Sequence, residues 1–188
     1  VKELTVKFEH MIEEYRENDR YSPIEQVSGR VKSVSSILEK MQRKHIPMER
    51  MEEELEDIAG VRIICQFEED IETVASLIQE RSDMVIKSEK NYLKHIKQSG
   101  YRSYHLIVRV PIFLSDRVVP TKVEIQIRTV AMDFWASLEH KIYYKYEGNT
   151  PEYIKKELKE CADLVTFLDS KMLAINEEVR SIREENKE

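Results

Sequence analysis

Strands alternating with helices predict an α/β (α+β) layer fold for this chain. Three observations carry the prediction. The runs VRIICQF, residues 61–67, and VEIQIRT, residues 123–129, are rich in β-branched residues and read as strands. Helical periodicity occupies the stretches around them. Only four Gly and five Pro occur in 188 residues, which argues against a turn-dense all-β domain.

In chain order, residues 2–19 form a charged amphipathic helix with Leu4, Phe8, Met11, Ile12 and Tyr15 on one side. Ser22-Pro23 reads as a helix start, Gly29 as an interruption, and Ser33 as the opening of a helix to about Lys44. The strand 61–67 is followed by a helix over 70–81 and by strands near 84–88, 104–113 and 117–128. Pro111 and Pro120 imply sheet edges or bulges there. Thr129 caps a helix reaching about Tyr146, and Gly148-Asn149 makes a turn. Thr150-Pro151-Glu152 then gives the last helix a cap, a proline in its first turn and an acid beside it. Along that helix Ile154, Leu158, Cys161, Val165, Leu168, Met172, Ile175, Val179 and Ile182 step alternately by 4 and 3, a heptad seam. The first helix is shorter than this seam, so the seam points to a contact between subunits. No repeat or low-complexity linker divides the chain. The expectation is one domain, 1–188, with an N-terminal helix (1–19), a core (20–146) and a C-terminal oligomerisation helix (150–186).

Hydrophobic residues make up 41% and charged residues 35%, and the formal net charge is −6. A non-specific nucleic-acid binder has the opposite sign, so any polyanion site must be a local basic patch on an acidic body. Cys65 and Cys161 stand far apart, with no spacing for a structural zinc site or a disulfide framework. That suits a reducing cytosol, and a cytoplasmic location is expected. No apolar run approaches the roughly 20 residues of a membrane span. The chain begins at Val1 rather than Met, so its natural N-terminus is expected to lie upstream.

Five segments carry candidate chemistry. In SGRVKSVSSILEKMQRKH, residues 28–45, Val34, Ile37, Leu38 and Met41 fall on one helical face and Ser36, Lys40 and Arg43 on the other. Arg30 and Lys32 precede that helix, beside Ser28-Gly29, which lets backbone approach an anion. The cluster is either a solvated face or a triphosphate cradle. Asp57 sits just ahead of the strand that carries Arg62, as a capping acid or as a metal ligand. In VEIQIRT the polar face is Glu124, Gln126 and Arg128. If it lines a cleft, Glu124 and Asp57 can share one Mg²⁺, which takes one or two carboxylates plus substrate phosphates. In SGYRSYH, 99–105, Tyr101 and His105 share a face, with Lys90, Lys94 and Lys97 upstream. An aromatic flanked by cations can stack a base while the cations hold its phosphates. After the Glu124 strand, Asp133, Ser137, His140 and Tyr144 lie opposite Ala131, Trp135, Leu138 and Ile142. Asp133, one turn from Arg128, is the member that can accept from both N1–H and N2–H of guanine.

In this order, SGRVKSVSSILEKM, DIAGVRI, SGYRSYHLIV, VEIQIRT and AMDFWASLEHKIYYKY resemble the synthetase domain of the RelA/SpoT family, and most of all its single-domain small alarmone synthetases. The resemblance covers residues 28–146. It implies a mixed β-sheet flanked by helices, nucleotidyltransferase-like. It implies transfer of the β,γ-pyrophosphate of ATP to the 3′-hydroxyl of GTP or GDP, releasing AMP, in stringent-response signalling. On the matching positions it implies Mg²⁺ ligands at Asp57 and Glu124, with Glu124 also helping to deprotonate the attacking hydroxyl. It implies an adenine sandwich from Arg30 and Arg62, and an ATP phosphate cluster of Lys32, Ser36, Lys40 and Arg43. Tyr101 matches the ring that stacks on guanine. Lys97 and His105 match groups near the acceptor's phosphates, and Gln126 and Asp133 match other acceptor contacts. It also implies a homotetramer built through terminal helices, with regulatory RNA as an optional partner. Two readings compete with GTP diphosphokinase activity: a tRNA 3′-end pyrophosphokinase of the same fold, and a catalytically inactive nucleotide- or RNA-binding regulator. A helical scaffold leaves the basic and aromatic clusters unexplained.

Overall fold

The computed structural model describes residues 1–145 and 149–185. The side chain of Tyr144, the helix end at Tyr146 and the Gly148 half of the expected turn lie outside the described residues. The elements are α1 (Lys2–Glu17), β1 (Gln26–Val31), α2 (Val34–Lys44), a 3₁₀ turn (Met48–Arg50), α3 (Met51–Glu54), β2 (Ala59–Cys65), α4 (Glu68–Gln79), β3 (Val85–Asn91), β4 (Tyr104–Phe113), β5 (Val118–Thr129), α5 (Val130–Lys145) and α6 (Glu152–Glu185). One five-stranded sheet runs in the order β1-β2-β5-β4-β3. β2 and β5 are parallel and every other pair is antiparallel, which makes the sheet mixed.

Strand alternation explains which residues are inside. Val61, Ile63 and Cys65 of β2, Val123, Ile125 and Ile127 of β5, and Leu106 and Val108 of β4 are buried in one core with Leu4, Phe8 and Ile12 of α1 and Ile71, Val74 and Ile78 of α4. Each fully buried side chain of this kind contributes about 1.5–3 kcal/mol. A 16-residue helix is marginal alone in water, so docking of its apolar stripe is what holds α1. A smaller cluster of Met41, Ile46 and Leu55 pins α2 to the loop that carries Asp57. A third, Trp135, Ala136 and Ala162, joins α5 to α6, and the Trp135 indole N–H donates to the Leu158 carbonyl at 2.9 Å.

Four expectations change. No helix starts at Ser22-Pro23: residues 26–31 form edge strand β1, almost wholly exposed, which pairs with β2 and carries Arg30. Pairing with β2 fixes this strand, whose Val27 packs against the core while Ser28 and Arg30 line the opposite face. Gly29 serves packing: a Cβ there would lie 2.4 Å from Val1 Cγ1 and 2.8 Å from Thr5 Oγ1, so the glycine makes room for α1. Val34 and Leu38 of α2 are exposed, and only Met41 of the expected apolar face is buried. Thr150 does not cap α6: its hydroxyl is buried without a partner among the described residues, and α6 begins at Glu152. Thr129 does cap α5, accepting from the Met132 N–H at 3.1 Å while donating to Asp169 at 2.6 Å.

The seam of α6 divides. Ile154, Leu158 and Val165 are partly buried, whereas Cys161, Leu168, Met172, Ile175, Val179 and Ile182 are exposed; the buried residues of α6, Ala162 and Asp169, lie off the seam. Among the described residues no helix is long and apolar enough to cross a membrane.

Gly100 has φ +89°, and a Cβ there would stand 2.4 Å from the Ala162 Cβ. Gly100→Ala combines backbone strain with overpacking and should lower unfolding stability by about 2–4 kcal/mol. A urea titration checks this; an unchanged midpoint would remove Gly100 as the fit between this loop and α6.

Candidate active site

Register builds the site. Opposite the core face, the sheet presents Ser28, Arg62, Gln126, His105 and Lys90 abreast across all five strands. The next row holds Arg30, Gly60 and Glu124. Gly60 has no side chain, so the row is open between Arg30 and Glu124. There lies a cavity of about 190 Å³, lined by Ser28, Arg30, Asp57, Gly60, Arg62, Glu124 and Gln126 among others. A second, of about 520 Å³, shares Arg30, Arg62 and Gln126 with the first and adds Lys97, Tyr101 and Arg128 and one side of α5.

Asp57 lies in the loop before β2, two residues short of the strand. Lys32 and Lys40 both donate to its Oδ2 at 2.6 Å. Its Oδ1 is buried with no hydrogen-bond partner. Burial opposes the charge, yet the two lysines hold this carboxyl below the ordinary aspartate range. Glu124 behaves alike: burial works against ionisation, and His105 and Gln126 overcome it, lowering the carboxyl. Two ionised carboxylates thus line one cavity, one with an orphaned oxygen. Among the described residues no three His, Cys, Asp or Glu side chains group to hold a metal. The donor set is therefore two carboxylates, which suits a hard cation that keeps waters or phosphates as its remaining ligands.

Arg128 is the hub of the second cavity. It is 5% exposed, and its Nη2 donates to the Tyr101 hydroxyl at 2.7 Å and to Gln126 Oε1 at 2.6 Å. Arg can only donate, so the Tyr101 hydroxyl is free to donate onward to His105 Nε2, 2.8 Å away. That assigns the His105 proton to Nδ1, which faces Glu124 Oε1 at 3.1 Å. By the other arm, Gln126 Nε2 donates to Glu124 Oε2 at 2.9 Å. Two hydrogen-bonded paths therefore run from one guanidinium to both oxygens of Glu124. Lys97 sits 4.6 Å from the Tyr101 ring centroid and 4.5 Å from that of Tyr92.

The cavities thus gather Asp57, Glu124, Arg30, Arg62, Gln126, Tyr101 and Lys97, with Lys32 and Lys40 on Asp57 and His105 on Glu124. Ser36 and Arg43 are exposed on α2 and line neither cavity. Asp133 does point at the sheet, but its Oδ1 stands 3.1 Å from both Arg62 and Arg128. Gln66 lies just beyond the end of β2 and donates to Glu25, away from both cavities. Sequence reasoning passed over the hub role of Arg128, the opening at Gly60, and Glu139 on the wall of the second cavity. The E-x-Q-x-R spacing was the available signal for Arg128.

Residues 29–149 match the family model described as the region found in RelA/SpoT proteins. The chain belongs to the RelA/SpoT family. Within it, the chain is 48% identical over 178 residues to GTP pyrophosphokinase YwaC of Bacillus subtilis (strain 168), covering 94% of this chain and 85% of that one. It is 46% identical over 180 residues to GTP pyrophosphokinase YjbM of the same organism, covering 96% and 85%. The crystal structure of the small alarmone synthetase 1 from Bacillus subtilis bound to its product pppGpp superposes with TM-score 0.91 at 46% identity, covering 95% of this chain and 92% of that one. The RelA/SpoT fold thus accounts for the mixed sheet and for the C-terminal helix.

The folded Asp57 carboxyl titrates below its unfolded value of 3.8. Its ion pairs therefore add stability that is complete above that pH and is lost as pH falls through the lower folded value. Asp57→Asn in metal-free buffer should flatten the stability–pH curve below about pH 4 relative to wild type. Parallel acid limbs in denaturant titrations would mean that the lysine pairs contribute nothing.

Proposed function

We propose that this chain is a GTP diphosphokinase that transfers the β,γ-pyrophosphate of ATP to the 3′-hydroxyl of GTP or GDP and releases AMP. The observation that carries this is the pair of adjoining cavities: an acidic pair with two arginines in one, Lys32 and Lys40 bonded to its Asp57, a ring among cations in the other, and Arg30, Arg62 and Gln126 shared between them. The names of the relatives support the same reaction.

In this reading ATP occupies the first cavity. Arg30 and Arg62 flank its adenine, and Lys32 and Lys40 turn from Asp57 to its phosphates, with Ser36 and Arg43 nearby on α2. The acceptor occupies the second cavity, its guanine stacked on Tyr101 and its phosphates near Lys97. His105 and Gln126 orient Glu124, and Asp133 contributes by fixing Arg62 and Arg128. Glu124 takes the proton of the 3′-hydroxyl as the 3′-oxygen bonds to the β-phosphorus and the bridge to the α-phosphate breaks. Positioning and charge neutralisation supply most of the acceleration in such transfers. Asp57, with its orphaned Oδ1, and Glu124 would hold Mg²⁺, which when bound neutralises charge on the transferring phosphates. The exposed apolar half of α6 supports assembly through this helix into a homotetramer, which sedimentation equilibrium of the full chain decides.

Purified protein with γ-labelled ATP, Mg²⁺ and each guanine nucleotide, resolved by thin-layer chromatography, tests the reaction. Label moving only to tRNA would favour the tRNA-directed reading instead. Glu124→Gln should cut turnover on the order of 10³-fold or more; near-normal kcat would overturn its role. Tyr101→Ala should raise KM for the acceptor at least about tenfold with little change for ATP. Equal effects on both substrates would move the stacking role elsewhere.

A further inference from the structure

Cations dominate the wall of the second cavity, which also holds Ser99, Ser137 and His140, each with a single acceptor atom at best, and one carboxylate. Arg30, Arg62, Lys97, Arg128 and Lys141 bring donors only, and the Gln126 carbonyl already accepts from Arg128. These groups suit phosphates. They cannot read the edge that separates guanine from adenine, where N1–H and N2–H stand side by side and require a pair of acceptors.

Among the described residues lining this cavity, the one carboxylate is Glu139. It is half-buried. It has no hydrogen bond or ion pair with any described residue. Burial pushes its carboxyl above the ordinary glutamate range, against the pull of His140, Lys97 and Arg128. A half-buried carboxylate whose oxygens have no donor from the described residues can accept from a ligand that supplies two. Its placement fits as well. Ala136 lies three residues earlier on α5, hence on the same side of the helix, and belongs to the cluster against which Tyr101 packs. Asp133, the acid the sequence offered for this task, is engaged by two guanidiniums and does not line the cavity.

Resting on the reading of the second cavity as the acceptor site, we infer that Glu139 is its specificity residue, accepting from N1–H and N2–H of a guanine stacked on Tyr101. Arg128 and Lys97 serve the stacking ring and the phosphates, and Glu139 selects the base.

The test pairs two ligands with two proteins. GDP and IDP differ by the 2-amino group alone. Calorimetric binding to wild type should favour GDP at least about tenfold. Glu139→Gln should lose that preference, with GDP affinity falling at least about tenfold and IDP affinity much less. The same GDP/IDP ratio in both proteins overturns the assignment. An ATP-analogue titration on each protein confirms that the fold survives. If Glu139→Gln melts early, Glu139→Asp carries the test: a reduced ratio supports the assignment and an unchanged one overturns it. The labelled-ATP assay on wild type keeps the two readings apart. Transfer with an unchanged ratio sinks Glu139 alone. No transfer to any guanine nucleotide sinks the proposed function, and the binding ratio still decides Glu139.

Discussion

The site depends on one buried guanidinium. Arg128 reaches Glu124 by two routes, through Tyr101 and His105 and through Gln126, and each route ends on a different carboxylate oxygen. Removing a carboxyl group from water costs several kcal/mol unless its lone pairs are satisfied. Here both oxygens accept hydrogen bonds from side chains that Arg128 orients. Glu124 therefore stays ionised although burial opposes its charge. The same arrangement fixes the Tyr101 hydroxyl, so Glu124 and Tyr101 share one anchor.

Asp57 solves the same problem in another way. Its partners are two lysines, flexible point charges rather than planar forks. A lysine can exchange a carboxylate for a phosphate oxygen by rotating its own stem, while Arg128 cannot leave without breaking several bonds. The first cavity is thus held by exchangeable contacts and the second by a fixed lattice. The small cluster under α2 keeps both lysines and the Asp57 loop in reach of each other.

Much of this was legible in the sequence, and the reasons are local. VEIQIRT alternates cleanly, so its inward isoleucines and outward Glu124 and Gln126 follow from the period of a strand alone. SGYRSYH gave Tyr101 and His105 a common side for the same reason. What escaped was set by partners distant in the chain. Edge strand β1 is short and largely exposed, and it forms because β2 offers its edge. Gly29 lines the first cavity, and it also leaves room for a helix N-terminus from the same chain, which no local pattern announces. Asp133 and Glu139 occupy nearby turns of one helix with similar chemistry. Asp133 is engaged both by Arg128, five residues away, and by Arg62, far upstream in the chain.

The alternation of β5 has a consequence for how such a site can fail. Odd positions 123, 125 and 127 fill the core, and even positions 124, 126 and 128 line the cleft. A slip of the chain by a single residue in this central strand would carry three polar groups into the apolar interior and leave aliphatic stubs facing the nucleotide. Misthreaded molecules would be too unstable to persist, so chains that pass the cell's folding surveillance already have their cleft side chains correctly aimed.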